Sequence, residues 1–181
     1  MQNNDVTTAV RLGVFAKLAK SAPGPFGRTA LMKLCYFLQV LKDVPLGYDF
    51  SLYSYGPFDS EVLSDLQTAE SLSVLDSSVS YYSGGYSYQI TTSENSNEAI
   101  ANGGQFIDKY EGRIEWVAKT FAGRSASELE LLSTIVYVNR TEGLTDDTSL
   151  IQSVKRIKPH FSEPEIQKKV TWLKKDSLLG S

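Results

Sequence analysis

The sequence is short of the groups that build covalent or metal-bound cores: among 181 residues there is one cysteine, Cys35, and one histidine, His160. A lone cysteine excludes an internal disulfide, and a single histidine leaves no Cys/His set for a zinc site, so neither a structural metal nor a cofactor is expected. Long apolar runs are also missing. No stretch reaches the ~20 residues that cross a bilayer, and the start Met1-Gln2-Asn3-Asn4-Asp5 lacks the positive charge of a signal peptide. The expected location is the cytoplasm. Charge of one sign is scarce as well, because 18 basic and 21 acidic residues leave a net charge of -3. That balance argues against a strongly basic nucleic-acid-binding domain. It hides a gradient: residues 1–100 hold 6 basic and 10 acidic groups, whereas residues 151–181 hold 7 basic and 3 acidic.

What the chain does have is ordinary globular material. Hydrophobic residues make up 41% and charged residues 22%, which excludes a disordered or fibrous chain. The length suffices for one substantial core or two small modules. Val10, Val14 and Leu18 recur at helical spacing and predict a helix over about residues 8–20, ended by Pro23-Gly24-Pro25. A second helix runs through Leu31, Leu34, Phe37 and Leu38. The alternating segment Tyr48 to Tyr55 predicts a strand, stopped by a rigid Gly56-Pro57 turn that sets the angle to a third helix capped by Asp59. In that helix Val62, Leu63, Leu66 and Ala69 are expected to face the core.

Two tyrosine-rich runs around Ser83-Gly84-Gly85 predict a β-hairpin. Three helices followed by a hairpin spell a winged-helix topology. Residues 91–102 are polar and predict a loose connection. Beyond Gly103, the spacing of Phe106, Tyr110, Ile114, Val117 and Phe121 predicts a long amphipathic helix. Ser125-Ala126-Ser127-Glu128 reads as a capping box before a helix that is apolar on most sides, hence central and buried. Further helices are predicted over about 148–157, stopped at Lys158-Pro159, and after Ser162-Glu163-Pro164-Glu165. The last one carries a core stripe of Ile166, Val170, Leu173 and Leu178, with a face of Lys168, Lys169, Lys174 and Lys175. The expected fold class is mainly α (α+β): a winged-helix-like module over residues 1–102 and a helical module over 103–181, packed as one unit.

The run Lys33-Leu34-Cys35-Tyr36-Phe37 followed by Tyr55-Gly56-Pro57 resembles the YwgA-like bacterial proteins and, more distantly, the Panacea (SocA-like) antitoxin domain, whose signature joins a Lys-Leu-x-Tyr-Phe helix to a Tyr-Gly-Pro turn. The YwgA-like pattern continues through Leu129-Glu130-Leu131-Leu132-Ser133-Thr134-Ile135 and Ile157-Lys158-Pro159-His160-Phe161-Ser162, so it spans about residues 8–178. The Panacea likeness stops near Leu75, and Phe58 stands where that family usually has a small aliphatic residue. The resemblance implies a fold and, through the Panacea domain, a role in binding and neutralising a toxin protein. It implies no reaction.

Read residue by residue, the chain offers little catalysis. Cys35 lies in an apolar helical run where a buried, inert thiol is the usual outcome. His160 has no acid or nucleophile beside it in sequence, and a contact linking helices is its expected role. Asp146-Asp147 and Glu128-Glu130 fall where helix N-termini favour negative charge, so capping accounts for them. Gly84-Gly85 and Gly103-Gly104 lack phosphate-loop spacing.

Two binding surfaces remain. In the first, strand alternation leaves Tyr53, and Tyr55 at the turn, open to solvent beside Gly56, Pro57 and Phe58. Tyrosine joins large contact area to low side-chain entropy and a polar tip, which suits protein interfaces. Tyr82 and Tyr86 of the hairpin extend the candidate site. The competing reading is that these tyrosines roof the core. The second surface is the winged helix as a DNA reader, but the helix after Asp59 has Glu61 and Asp65 and no lysine or arginine. The expected function is non-enzymatic protein binding by an antitoxin-like or regulatory adaptor of a bacterium or phage, its partner a toxin, defence or regulatory protein. Specific nucleic-acid binding is not expected. A DNA-binding winged-helix regulator is the alternative.

Overall fold

The computed structural model describes residues 6–180, apart from the side chain of Tyr82. In chain order the elements are α1 (Thr8–Ser21), α2 (Arg28–Leu41), β1 (Ser51–Tyr53), β2 (Gly56–Phe58), α3 (Ser60–Ser71), β3 (Leu75–Tyr82), β4 (Gly85–Thr92), α4 (Ser96–Asn102), α5 (Gly104–Phe121), α6 (Ala126–Glu142), α7 (Asp147–Ile157) and α8 (Glu163–Lys175). The molecule is thus mainly helical with two small antiparallel hairpins, an α+β protein. It divides into two compact units: Met1–Phe50 with Asp59–Arg124, and Ser51–Phe58 with Ser125–Ser181. The first unit therefore runs past residue 102 to include α5, which packs on α1 and α2.

In the first unit α1 starts where Thr7 Oγ1 accepts from the Val10 amide at 3.4 Å and buries Leu12, Val14, Phe15, Ala16 and Leu18. Gly13 is demanded by packing. A Cβ there would lie 2.5 Å from the Ala99 carbonyl oxygen of α4, so any side chain would push the two helices apart. The core continues through α2 into α5, where Phe37 and Phe121 stack with ring centroids 4.2 Å apart. Residues 91–102 are more ordered than their polarity suggests. β4 runs on to Thr92, and Ser96 Oγ, a buried hydroxyl, donates to the Val74 carbonyl and ties the start of α4 to the hairpin base. Phe26 forms an antiparallel bridge to Ile90, whose amide donates to the Phe26 carbonyl at 2.8 Å.

The segment expected as one strand over residues 48–55 differs instructively. Tyr48 needs no strand partner, because the Gln39 side chain donates to its carbonyl at 2.7 Å and accepts from its amide at 3.1 Å. Pairing begins only at Ser51, and the chain reverses at Ser54 and Tyr55. Gly56-Pro57 is consequently not the turn to α3 but the start of the returning strand. Gly56, at φ 90°, lies opposite Tyr53, and Pro57 lies opposite Leu52. A positive φ costs glycine nothing, and proline is tolerated in a strand that lacks a neighbour on one side.

The expected acidic face of α3 is also altered, since Asp65 is only 4% exposed. Its carboxylate forms an ion pair with Arg11 Nε at 2.8 Å and accepts from the Tyr48 hydroxyl at 2.7 Å. Arg11 additionally pairs with Glu61 and lies 4.9 Å from the Tyr48 ring centre. Leu63 is half-buried, while Val62, Leu66 and Ala69 are buried as their spacing predicts. Burial outweighs the attraction of Tyr48 and Arg11 and holds the Asp65 carboxyl above its usual range. Such a pair specifies an arrangement more than it adds net stability.

Removing one partner therefore costs more than removing both. Asp65→Ala, which leaves the Arg11 guanidinium buried beside Glu61 alone, is expected to lower unfolding free energy by about 3 kcal/mol, and Arg11→Met with Asp65→Leu to recover most of it. Urea unfolding of the two variants and the wild type measures both.

Candidate functional site

The second unit is organised around α6. Ser125 Oγ accepts from the Glu128 amide at 3.2 Å to start the helix, and residues 129–136 are all buried. Asp146 starts α7 by accepting from the Ser149 amide at 2.8 Å. α8 opens with a full capping box between Ser162 and Glu165, with Pro164 in its first turn. The intervening loop is held from one side chain. Lys155 Nζ donates to the carbonyls of Pro159 and Phe161, each at 2.8 Å. These contacts fix where Lys158 points.

Lys158 is 3% exposed, and it forms an ion pair with Glu130 at 2.8 Å, itself 7% exposed. The same ammonium donates to the Ser54 carbonyl in the reversal between β1 and β2. His160 Nε2 lies 3.4 Å from the paired Glu130 oxygen, from an exposed position. The sequence reading gave Glu130 to helix capping. It sits instead inside the unit, as the counter-ion of a buried lysine. Helical spacing places Glu130 on the same side of α6 as Thr134, whose hydroxyl bonds back to the Glu130 carbonyl at 2.8 Å. The side chain is thereby carried to a buried face, not to the solvated first turn. No local sequence signal marks a lysine 28 positions later as its partner.

The anchored element is a two-stranded hairpin with three residues in each strand. Alone in water such a hairpin would be marginal. Here β2 packs on α6, Gly56 and Pro57 are buried, and Lys158 fixes the reversal. Its outer side is aromatic. Tyr53 is 61% exposed and Tyr55 73%, while the half-buried Phe58 ring lies 5.3 Å from that of Tyr53. Tyr48 belongs to the core of the other unit, and Phe50 packs edge-on to the Tyr36 ring at 5.2 Å. The aromatic segment is thus split: its first half is core and its second half is surface.

The hairpin candidates of the first unit are arranged differently. Tyr86 is exposed and faces Tyr81 across the β3–β4 ladder, with ring centroids 6.4 Å apart. Tyr81 is the more exposed of the two, and it meets Tyr86 because the turn takes only Ser83 and Gly84, one residue fewer than the Ser83-Gly84-Gly85 connection read from the sequence. The Tyr82 side chain lies outside the described residues.

Cys35 is fully buried and burial pushes its thiol well above the usual range, so little thiolate forms at neutral pH. Among the described residues no three His, Cys, Asp or Glu side chains converge as a metal site. Among the described residues no helix is long and apolar enough to cross a membrane. Comparison with protein-family models and with curated proteins returned no match.

Two measurements check this geometry. Glu130→Ala strands the Lys158 charge and is expected to cost about 3 kcal/mol of unfolding free energy, far more than Glu130→Leu combined with Lys158→Met. Cys35 in the native protein is expected to resist a thiol reagent until the chain unfolds; rapid labelling with the fold intact would contradict its burial.

Proposed function

We propose that this chain is a non-enzymatic protein-binding module, an antitoxin-like or regulatory adaptor working in the cytoplasm of a bacterium or phage. The observation that carries the reading is the pair Tyr53 and Tyr55, largely exposed on a hairpin that a buried lysine holds in place. Neighbouring exposed aromatics form a contiguous patch of the kind that marks interaction sites, and a pre-positioned anchor loses less entropy on binding than a mobile one. Phe58 flanks the tyrosines and Gly56-Pro57 supports them from below. The likeness of Tyr55-Gly56-Pro57 to the Panacea signature adds the toxin-binding class to the candidate partners.

One observation favours a second reading, a DNA-binding winged-helix regulator. The Phe26 bridge to β4 gives the β3–β4 hairpin a third strand position ahead of α2, which is the strand order of a wing. The chemistry opposes it. α3 has no lysine or arginine, and Arg11, which packs beside it, is already paired with Glu61 and Asp65. Phosphate contact needs free cations on the reading face.

Two outcomes test these readings. Tyr53→Ala with Tyr55→Ala should weaken binding to a co-purifying partner about thirtyfold, ~2 kcal/mol, with little change in melting temperature. In a gel-shift assay at physiological salt the chain should show no specific duplex binding. Nanomolar binding to its own promoter would put the regulator first.

A further inference from the structure

The β3–β4 hairpin has two unlike faces. Leu75, Ser77, Val79 and Tyr81 of β3 lie on one face, with their partners Thr92, Ile90, Tyr88 and Tyr86 of β4. At the base this face belongs to the core, with Leu75 and Ile90 each 1% exposed. Towards the tip the same face continues into solvent, where Val79 is 42%, Tyr86 60% and Tyr81 81% exposed. The apolar pattern therefore outruns the protein that covers it. The opposite face carries Asp76, Ser78 and Ser80 with their partners Thr91, Gln89 and Ser87.

The two edges differ as well. Alongside β4, Phe26 pairs with Ile90, and the Arg28 guanidinium stacks on the Tyr88 ring at 3.8 Å. Among the described residues β3 pairs with β4 alone, so its outer edge has no strand partner, and towards the tip, at Val79 and Tyr81, it is also exposed. Open edges are normally blunted by a lysine, a proline or a bulge. β3 has one charge, the exposed Asp76 near its base, and no lysine or proline, and it meets β4 in an unbroken register from Leu75 to Tyr82.

The geometry points to a second copy of this chain as the occupant of that edge, the two β3 strands pairing antiparallel about a two-fold axis at Val79. In that register Val79 faces Val79 of the other copy, Ser77 faces Tyr81, and Ser78 faces Ser80. The one charged residue of the strand, Asp76, falls opposite position 82 of the other copy, so no like charges meet across the axis even though each chain is acidic overall. Two marginal two-stranded ribbons become one four-stranded sheet with a shared aromatic face, the size at which a small sheet becomes independently stable. A self-complementary patch of this kind closes as a dimer and does not propagate. At roughly 200 Å² for a fully exposed tyrosine, the tips of two copies together offer less than the ~1,200 Å² of a standard stable interface. The dimer is therefore reversible and concentration-dependent. This goes beyond partner binding by the β1–β2 hairpin and stands or falls separately from it.

Sedimentation velocity of the full chain across a concentration series tests the assignment. The wild type should pass from monomer to dimer, and Val79→Lys, which sets two ammonium groups face to face, should raise the dissociation constant at least tenfold, as should Val79→Glu. Mixing the lysine and glutamate variants should restore a dimer, because opposite charges then meet across the axis. That rescue separates lost pairing from lost folding, as does an unchanged circular dichroism melt of each variant. A wild type that stays monomeric up to ~1 mM, a dimer that Val79→Lys leaves intact, or two folded variants that fail to associate when mixed would each overturn the pairing.

Discussion

Burying a lysine is costly unless every polar atom around it answers, and in the second unit Lys158 is answered twice. Glu130 meets its charge, and the Ser54 carbonyl takes a further proton of the ammonium. The second contact links the pair to function. A carbonyl at a chain reversal has no strand partner of its own, so the lysine both satisfies it and fixes its position. The loop that delivers Lys158 is set in turn by Lys155 and by the termination of α7 ahead of Pro159. Without that chain of contacts, a hairpin with three residues in each strand would present its tyrosines in many orientations.

The first unit uses the same device for a different end. Arg11, Asp65 and Tyr48 form a buried polar group that ties α1, α3 and the segment after α2 to one another. Because burial lifts the Asp65 carboxyl despite its partners, the group selects a single arrangement without adding much net stability. Its effect on the electrostatics is larger. By drawing Asp65 inward and engaging Arg11, it leaves α3 without a cation to offer a phosphate.

Helical periodicity and capping made most of the helices readable. Val62, Leu66 and Ala69, the stripe of α8 and the Ser162 capping box all lie where spacing alone puts them. The hairpin around Ser83-Gly84-Gly85 was equally legible, but its register was not, because the turn takes only two residues and Gly85 already pairs with Tyr82. What escaped was polar and non-local. Gln39 closing on the Tyr48 backbone, Lys158 reaching Ser54 and Glu130 facing inward join residues 9 to 104 positions apart, and no local pattern encodes such pairs. Gly56-Pro57 was misplaced for a related reason. Both residues favour turns, but the Gln39 clamp delays strand pairing until Ser51, and the reversal falls two residues earlier. Tyr53, by contrast, is exposed as strand alternation requires, and Tyr55 is exposed because it lies in the reversal.

The account holds that the Lys158–Glu130 pair pre-positions the aromatic hairpin. Amide hydrogen exchange of residues 51–58, compared between the wild type and Glu130→Leu combined with Lys158→Met, tests that most directly. The replacement keeps the site filled while removing the donor to Ser54, so hairpin amides should exchange at least tenfold faster, with α6 and α7 unchanged. Equal exchange in the two proteins would mean that the hairpin is held by packing alone, and the buried pair would lose the role given to it here.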